Sequence, residues 1–212
     1  MVEYKTIGTT KIVYINPMKL KIANPRTFHN LISLSYRNWV NGTFFSMYDS
    51  NTWLWAVNQG HQLCYRGAWQ NKAMGTLIIC NDGRVEVKRI LDLTKDERRN
   101  IHLAIQACDA FPYMSGWSES SRLNNSIKDQ GFSYNEIGRY TNRPMIGYNP
   151  ELNKIIITIR PGSTAYRGYQ TLKNLGCTCG LFLDAGRSTN GRWNNKIIAR
   201  TRRRLGTILY WN

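Results

Sequence analysis

The sequence predicts an α+β fold in one domain over residues 1–212: a mixed β-sheet system with a few helices packed on it. Three observations carry this reading. The chain has 212 residues, 42% hydrophobic and only 20% charged, with seven Trp and twelve Tyr, which suffices for a packed core and excludes a disordered basic tail. Apolar runs are joined in pairs by turn-forming residues, and two segments carry helix start and stop signals. No 20- to 50-residue repeat, low-complexity stretch or Pro/Gly/Ser linker divides the chain.

The elements follow in order. Residues 11–22 (KIVYINPMKLKI) read as two short strands, or one bent at Asn16-Pro17, because proline cannot donate to a central ladder. Residues 40–45 (VNGTFF) read as a strand end, an Asn-Gly break and two aromatics. Residues 76–80 and 85–88 form a hairpin across Asn81-Asp82-Gly83, since Asp-Gly suits the positive φ of a tight turn. Thr94 with Glu97 is a capping box, and Ile101, Ala104, Ile105 and Cys108 follow at helical spacing, so a helix is predicted through this stretch. A second hairpin pairs residues 144–148 with 155–159. A helix from Ser163 or Thr164 through Tyr169 and Leu172 stops at Gly176, and residues 179–183 (CGLFL) read as a strand buried on both faces. The run Arg200-Thr201-Arg202-Arg203-Arg204 alternates with apolar flanks and predicts a strand with a solvated basic face.

The formal charge of +16 attracts polyanions: nucleic acid, anionic glycopolymers such as teichoic acids, phosphorylated sugars or nucleotides, or an anionic membrane face. Helix-turn-helix, zinc-finger and RNA-recognition signatures are absent, so any nucleic-acid contact is expected to be nonspecific. Five cysteines at irregular spacing (Cys64, Cys80, Cys108, Cys177, Cys179) predict free thiols in a reducing compartment. The first thirty residues show neither a signal-peptide core nor a membrane span, so a cytoplasmic protein is expected, virion-associated if phage-encoded. His29, His61 and His102 lack metal-ligand spacing, and Cys177-Thr178-Cys179 lacks the second pair of a structural zinc site, so no metal or cofactor is predicted.

The chemistry is expected where the buried 179–183 run ends in Asp184-Ala185-Gly186-Arg187-Ser188-Thr189. An acid there is anchored in the core at its backbone, and its carboxylate can hold a perturbed pKa or cap the turn that follows. Arg187 offers a planar fork for phosphate or carboxylate. Asn41 can hydrogen-bond a sugar or phosphate or make an ordinary turn, and Arg143 is either a ligand or a surface charge. Asp49, Asp109 and Glu136 are the other acids near these segments.

In sequence order, VNGTFF (40–45), NDGRV (81–85), NRPMIGYN (142–149) and LGCTCGLFLDAGRST (175–189) resemble the phosphodiester glycosidase domain family over nearly the whole chain. That family has an Asn-Gly-Gly-Phe-Phe segment, an Arg-Thr-Ala-Ile-Gly strand and a closing Leu-Asp-Gly-Gly-Gly-Ser-Ser loop. Asn41, Gly42 and Phe45 match the first, Arg143, Ile146 and Gly147 the second, and Asp184, Gly186 and Ser188 the third. Thr43, Ala185 and Arg187 stand where the family has glycines. If those glycines use positive φ, Ala185 is expected to shift the loop or carry strain, and Arg187 to fill the pocket or add a phosphate contact.

The resemblance implies hydrolysis of a sugar-1-phosphodiester in an anionic glycopolymer or nucleotide-like substrate. Asp184, Asn41 and Arg143 are then the catalytic candidates, and Gly42, Thr43, Gly186, Arg187, Ser188 and Thr189 the substrate and phosphate contacts. One carboxylate suffices in principle, because phosphate is a good leaving group and needs no protonating acid. The alternatives are a non-catalytic module sequestering the same kind of ligand, and a basic nucleic-acid-binding or virion structural protein. The strands bearing Asn41, Arg143 and Asp184 are expected in one sheet system with their ends at one cleft.

Overall fold

The computed structural model describes residues 2–44, 54–64 and 73–212. In chain order it begins with β1 (Glu3–Ile7), β2 (Thr10–Ile15), β3 (Lys21–Ala23) and β4 (Thr27–Phe28), then α1 (His29–Ser35) and β5 (Asn38–Asn41). Next come β6 (Ala56–Asn58), β7 (His61–Cys64), β8 (Gly75–Cys80) and β9 (Val85–Arg89), α2 (Lys95–Arg99), β10 (Ile101–Asp109) and α3 (Glu119–Asp129). The chain closes with β11 (Thr141–Asn149), β12 (Lys154–Ser163), α4 (Ala165–Asn174), β13 (Cys179–Phe182), β14 (Gly191–Trp193), β15 (Lys196–Ala199), β16 (Arg204–Leu205) and β17 (Ile208–Trp211).

Among the described residues, ten strands form one sheet in the order β1-β2-β12-β11-β13-β10-β6-β7, with β8 and β9 joined to the other edge of β10. Five more form a second sheet, β15-β14-β5-β17-β3. The fold is broadly α+β, as the sequence implies. Its pairings are antiparallel rather than mixed. Hairpins and meanders supply many of the connections, and three helical crossovers in the large sheet, β9-α2-β10 over β8, β10-α3-β11 over β13 and β12-α4-β13 over β11, each skip one strand, so their co-directional strands never pair.

The inner faces of the two sheets meet in one core. Val13, Ile15, Ile146, Ile157 and Leu181 from the large sheet pack with Val40, Leu209 and Trp211 from the small one. On the outer face of the large sheet, Ile12, Met145, Ile156 and Phe182 are covered by Leu123 and Ile127 of α3 and Tyr169 and Leu172 of α4. Glu119 at the start of α3 ties the two helices together, accepting from Tyr169 Oη (3.1 Å) and Lys173 Nζ (2.6 Å) of α4. The outer face of the small sheet carries α1, with Ile32 packed on Trp39 and Ile208. The arrangement is helix, sheet, sheet, helix.

Most predicted elements appear where expected. The bend at Asn16-Pro17 separates β2 from β3 through a 3₁₀ turn, with the Asn16 side chain accepting from the Met18 N–H. Both hairpins form, and α4 starts at a Thr164 N-cap and ends before Gly176 at φ +74°.

Two elements differ. The capping box of Thr94 and Glu97 is present, but its helix ends at Arg99, and residues 101–109 are the long strand β10. Every residue from Leu103 to Cys108 is buried, with Leu103, Ile105 and Ala107 in the inter-sheet core and Cys108 under the helices. A run that is apolar on both faces satisfies the helical period as readily as the strand period, so spacing could not separate them.

The basic run is not a strand either. β15 stops at Ala199, and the chain bends through residues 200–203 before β16. The Thr201 hydroxyl donates to the Arg187 carbonyl and accepts from the Arg203 N–H (3.3 Å), offering the backbone a local alternative to the ladder.

Candidate functional site

The strand ends that the sequence singles out come from two sheets rather than one. β5 belongs to the small sheet, while β11 and β13 are neighbours in the large one. They nevertheless meet, because Asn41 stitches them. Its Nδ2 donates to the Asp184 carbonyl (2.6 Å), its Oδ1 accepts from the Asn190 N–H (2.9 Å), and its own N–H donates to the Asn190 carbonyl (3.0 Å). The next residue continues the seam: the Asp184 N–H donates to the Gly42 carbonyl (3.1 Å), and the Gly42 N–H to the Thr207 carbonyl (2.8 Å). A Cβ on Gly42 would stand 3.1 Å from the Thr207 side chain, which is why this position stays small. Thr43 is buried and its hydroxyl donates to the Gln106 carbonyl of β10, so it fills the glycine's place without opening the seam. Phe45 and Asp49 lie outside the described residues.

Asp184 follows Leu183, whose N–H donates to the Pro144 carbonyl (3.1 Å) as the last link between β13 and β11. The carboxylate is therefore fixed at the sheet end and only partly open to solvent. Burial pushes it up to about 6, while a hydrogen bond from Ser188, the positive charge of Arg203 and the Ala185 N–H hold it from rising further. Ser188 is itself almost fully buried and accepts from Arg203 Nη1 (3.4 Å), so a chain of polar contacts runs from Arg203 through Ser188 to Asp184. Ala185 sits at φ −114°, ψ −176°, ordinary extended backbone, so the strain expected for it is not realised. The positive φ falls on Gly186, at +67°.

Beside this loop is a cleft of about 550 Å³ lined by Gly186, Arg187, Thr189, Arg200, Arg202 and Arg203, among others. No acid is among its lining residues. The Thr189 hydroxyl donates to the Asn142 carbonyl (2.9 Å), which fixes the floor against β11. Arg187 is exposed and stands in this cleft rather than filling a pocket at Asp184.

Arg143 is placed differently from either sequence reading. It is fully buried, with Nη2 donating to the carbonyls of Arg139 (2.8 Å) and Ser163 (3.5 Å) and the guanidinium 5.3 Å from the Phe182 ring centre. It therefore sits on the helix side of the large sheet, where a Cβ on Gly168 of α4 would come within 2.9 Å of its Cδ. It does not line the cleft.

Asp109 is separate from this site as well. The β10–β13 register pairs it with Leu181, three residues before Asp184, but it lines a different cleft, with Gly75, Arg89 and Tyr113 among others. Burial pushes its carboxyl up to about 7, opposed by the Phe111 N–H and by Arg89.

Sequence reasoning missed two parts of the site. Arg200, Arg202 and Arg203 predict a strand face, although the density of the run is itself the signal. Asn190 carried no signal at all. It is fully buried, and among the described residues neither its Oδ1 nor its Nδ2 has a hydrogen-bond partner. No group of three or more His, Cys, Asp or Glu among the described residues is arranged to hold a metal ion.

No protein-family model matches this chain, and no curated protein matches it in sequence. Solved structures do. The catalytic domain of zebrafish N-acetylglucosamine-1-phosphodiester alpha-N-acetylglucosaminidase, auto-inhibited by its pro-peptide, superposes with a TM-score of 0.75 at 15% identity, over 100% of this chain and 81% of that one. A hypothetical protein from Synechocystis superposes with a TM-score of 0.67 at 11% identity, over 99% of this chain and 61% of that one. At these identities the likeness is one of fold.

Proposed function

We propose that this chain is a hydrolase cleaving sugar-1-phosphodiesters, with Asp184 as its acidic group. The observation that carries the reading is a single partly buried carboxylate, locked at a strand end by the Asn41 seam, beside a cleft whose charges are all cationic. The fold shared with a phosphodiester glycosidase catalytic domain supports it.

In the reaction, the bond between the anomeric carbon and the phosphate oxygen breaks and its electron pair stays on the phosphate. Water adds to the anomeric carbon and gives its proton to Asp184, whose charge also stabilises the cationic sugar as it forms. Arg187, Arg200, Arg202 and Arg203 take up the charge gathering on the leaving phosphate. Ser188 and Arg203 position Asp184, and Asn41 holds the Asp184 and Asn190 backbones in place. Gly42, Gly186 and Thr189 give the loops their close approach. Arg143 supports β11 and β13 from behind rather than touching phosphate. The residues named provide this chemistry with no cofactor.

The same arrangement without turnover would sequester the ligand, and the extra arginine at position 187 favours that as the second reading. Free thiols at Cys80, Cys108, Cys177 and Cys179 fit a cytoplasmic setting. The deciding experiment is release of reducing sugar from a panel of sugar-1-phosphodiesters. Release that depends on Asp184 supports hydrolysis, and tight binding with no release assigns sequestration.

A further inference from the structure

The cationic cleft does not end at the candidate site. A second cleft, of about 320 Å³, shares Ile198 with it and is lined by Lys11, Lys196, Thr6 and Trp193 among others. The two are also joined through the sheet, since Ile159 lines the first and its register partner Lys11 lines the second. Neither lining contains an acid. Among the described residues, the ion pairs use other cations, and none of Lys11, Lys196, Arg187, Arg200, Arg202 and Arg203 is in one. Lys5 also borders the second cleft, but its ammonium is paired with Glu3 (2.8 Å) and lies over the Tyr14 ring, away from the track. Five uncompensated cations, with Arg203 engaged by Ser188 and Asp184 at their head, thus follow one surface path leading away from the candidate site.

The length of that path sets the kind of ligand. A strand rises about 3.3 Å per residue, so Lys196 and Arg200 are separated by about 13 Å of backbone. One phosphate does not span that distance, whereas phosphates in series do. The walls also discriminate between chains. Nonspecific binding of single-stranded nucleic acid combines cations with exposed aromatic faces for the bases. Here Trp193 is 3% exposed, Tyr4 is partly buried with its hydroxyl engaged by Asn38 and Trp211, and the freely exposed Trp117 and Tyr140 line neither cleft.

We infer that the substrate is a polymer of sugars joined through anomeric phosphodiesters, held at several successive phosphates along this track while one link lies at Asp184. The inference rests on the hydrolase reading and specifies its substrate. Binding energy gathered at the remote phosphates holds the chain in register, so longer chains bind more tightly than a single repeat.

The test is a length series of N-acetylglucosamine 1-phosphate oligomers of one, three and six repeats, measured for binding at several salt concentrations and for release of sugar. We expect the dissociation constant to fall at least about tenfold from one repeat to six, with a salt slope that steepens by roughly 0.7 for each added phosphate contact. The Lys11→Ala/Lys196→Ala variant should reduce the six-repeat slope by about 1.4, two contacts at that value. The Lys95→Ala variant, on α2 and off the track, should leave the slope unchanged. Affinity independent of length overturns the inference, and so does oligothymidine of equal phosphate number binding as tightly as the sugar polymer. Cleavage of the single repeat with no length dependence removes the polymer and keeps the hydrolase. Length-dependent binding without cleavage of any oligomer keeps the track and removes the hydrolase.

Discussion

Asp184 is the residue on which structure and chemistry pull in opposite directions. Its carboxyl is pushed up to about 6 by burial, so ionising it costs folding free energy that a neutral amide does not. Asp184→Asn keeps the shape and can still accept from Ser188 and the Ala185 N–H. The variant is therefore expected to lose turnover by about 10²-fold or more while becoming more stable at pH 7.5, which a thermal melt beside an activity assay reads together. In the wild type, kcat/KM should fall as pH drops through about 6, because the protonated acid cannot accept a proton from water. Arg143 contrasts with it. Arg143→Ala strips a donor from the Arg139 and Ser163 carbonyls and opens a cavity beside Gly168, so the expected loss is roughly 3 kcal/mol of stability, seen in denaturant melts. Arg203→Ala removes a cation from the cleft and the donor to Ser188. It is expected to raise KM by about tenfold and to shift the inflection of the pH profile upward, since Arg203 holds Asp184 down.

At the scale of elements, the site depends on how closely α4 and the strands beneath it approach. Gly147 of β11 and Gly180 of β13 face each other in the register, and a Cβ on Gly180 would stand 2.5 Å from the Ile146 carbonyl oxygen. That neighbour is backbone and cannot turn aside. Gly180→Ala should therefore push β13 from β11 and cost about 2 to 3 kcal/mol, a fall in Tm of roughly 5 to 10 °C. Because β13 delivers Asp184, the same variant should lose activity below its own melting temperature.

The whole molecule should show an unusual dependence of stability on pH. Asp109 at about 7 and Asp184 at about 6 both hold a proton more tightly folded than unfolded, where an aspartate titrates near 3.9. Between about pH 4 and pH 7 the native state therefore carries more protons, so these two groups stabilise it fully at the acidic end and lose their contribution as pH rises. Glu97, lowered to about 2 by the Lys88 ammonium and the Thr94 cap, acts in the opposite direction below about pH 4. The Asp109→Asn/Asp184→Asn variant should come close to the wild type in stability at pH 4 and exceed it by several kcal/mol, at most about 7, at pH 8. A constant difference across that range would contradict the assignment of both acids.

The sequence by itself determined the pieces whose signals are local. The Asp82-Gly83 turn, the Thr94 capping box, the Thr164 start and Gly176 stop of α4, and the buried strand that ends at Asp184 could all be read from residue type and spacing, because turns and caps are set by the backbone preferences of a few neighbours. Only the tertiary structure decided the rest. A run buried on both faces has no period, so burial alone made residues 101–109 a strand. Arg143 looked like a ligand or a surface charge until α4 was seen to cover it, and Asn190 carried nothing until the seam from Asn41 buried it. The basic run became the wall of a cleft because the Thr201 hydroxyl ties it to the Arg187 loop. Each of these depends on contacts between residues far apart in sequence, and such contacts form only when two sheets and their helices close over one another.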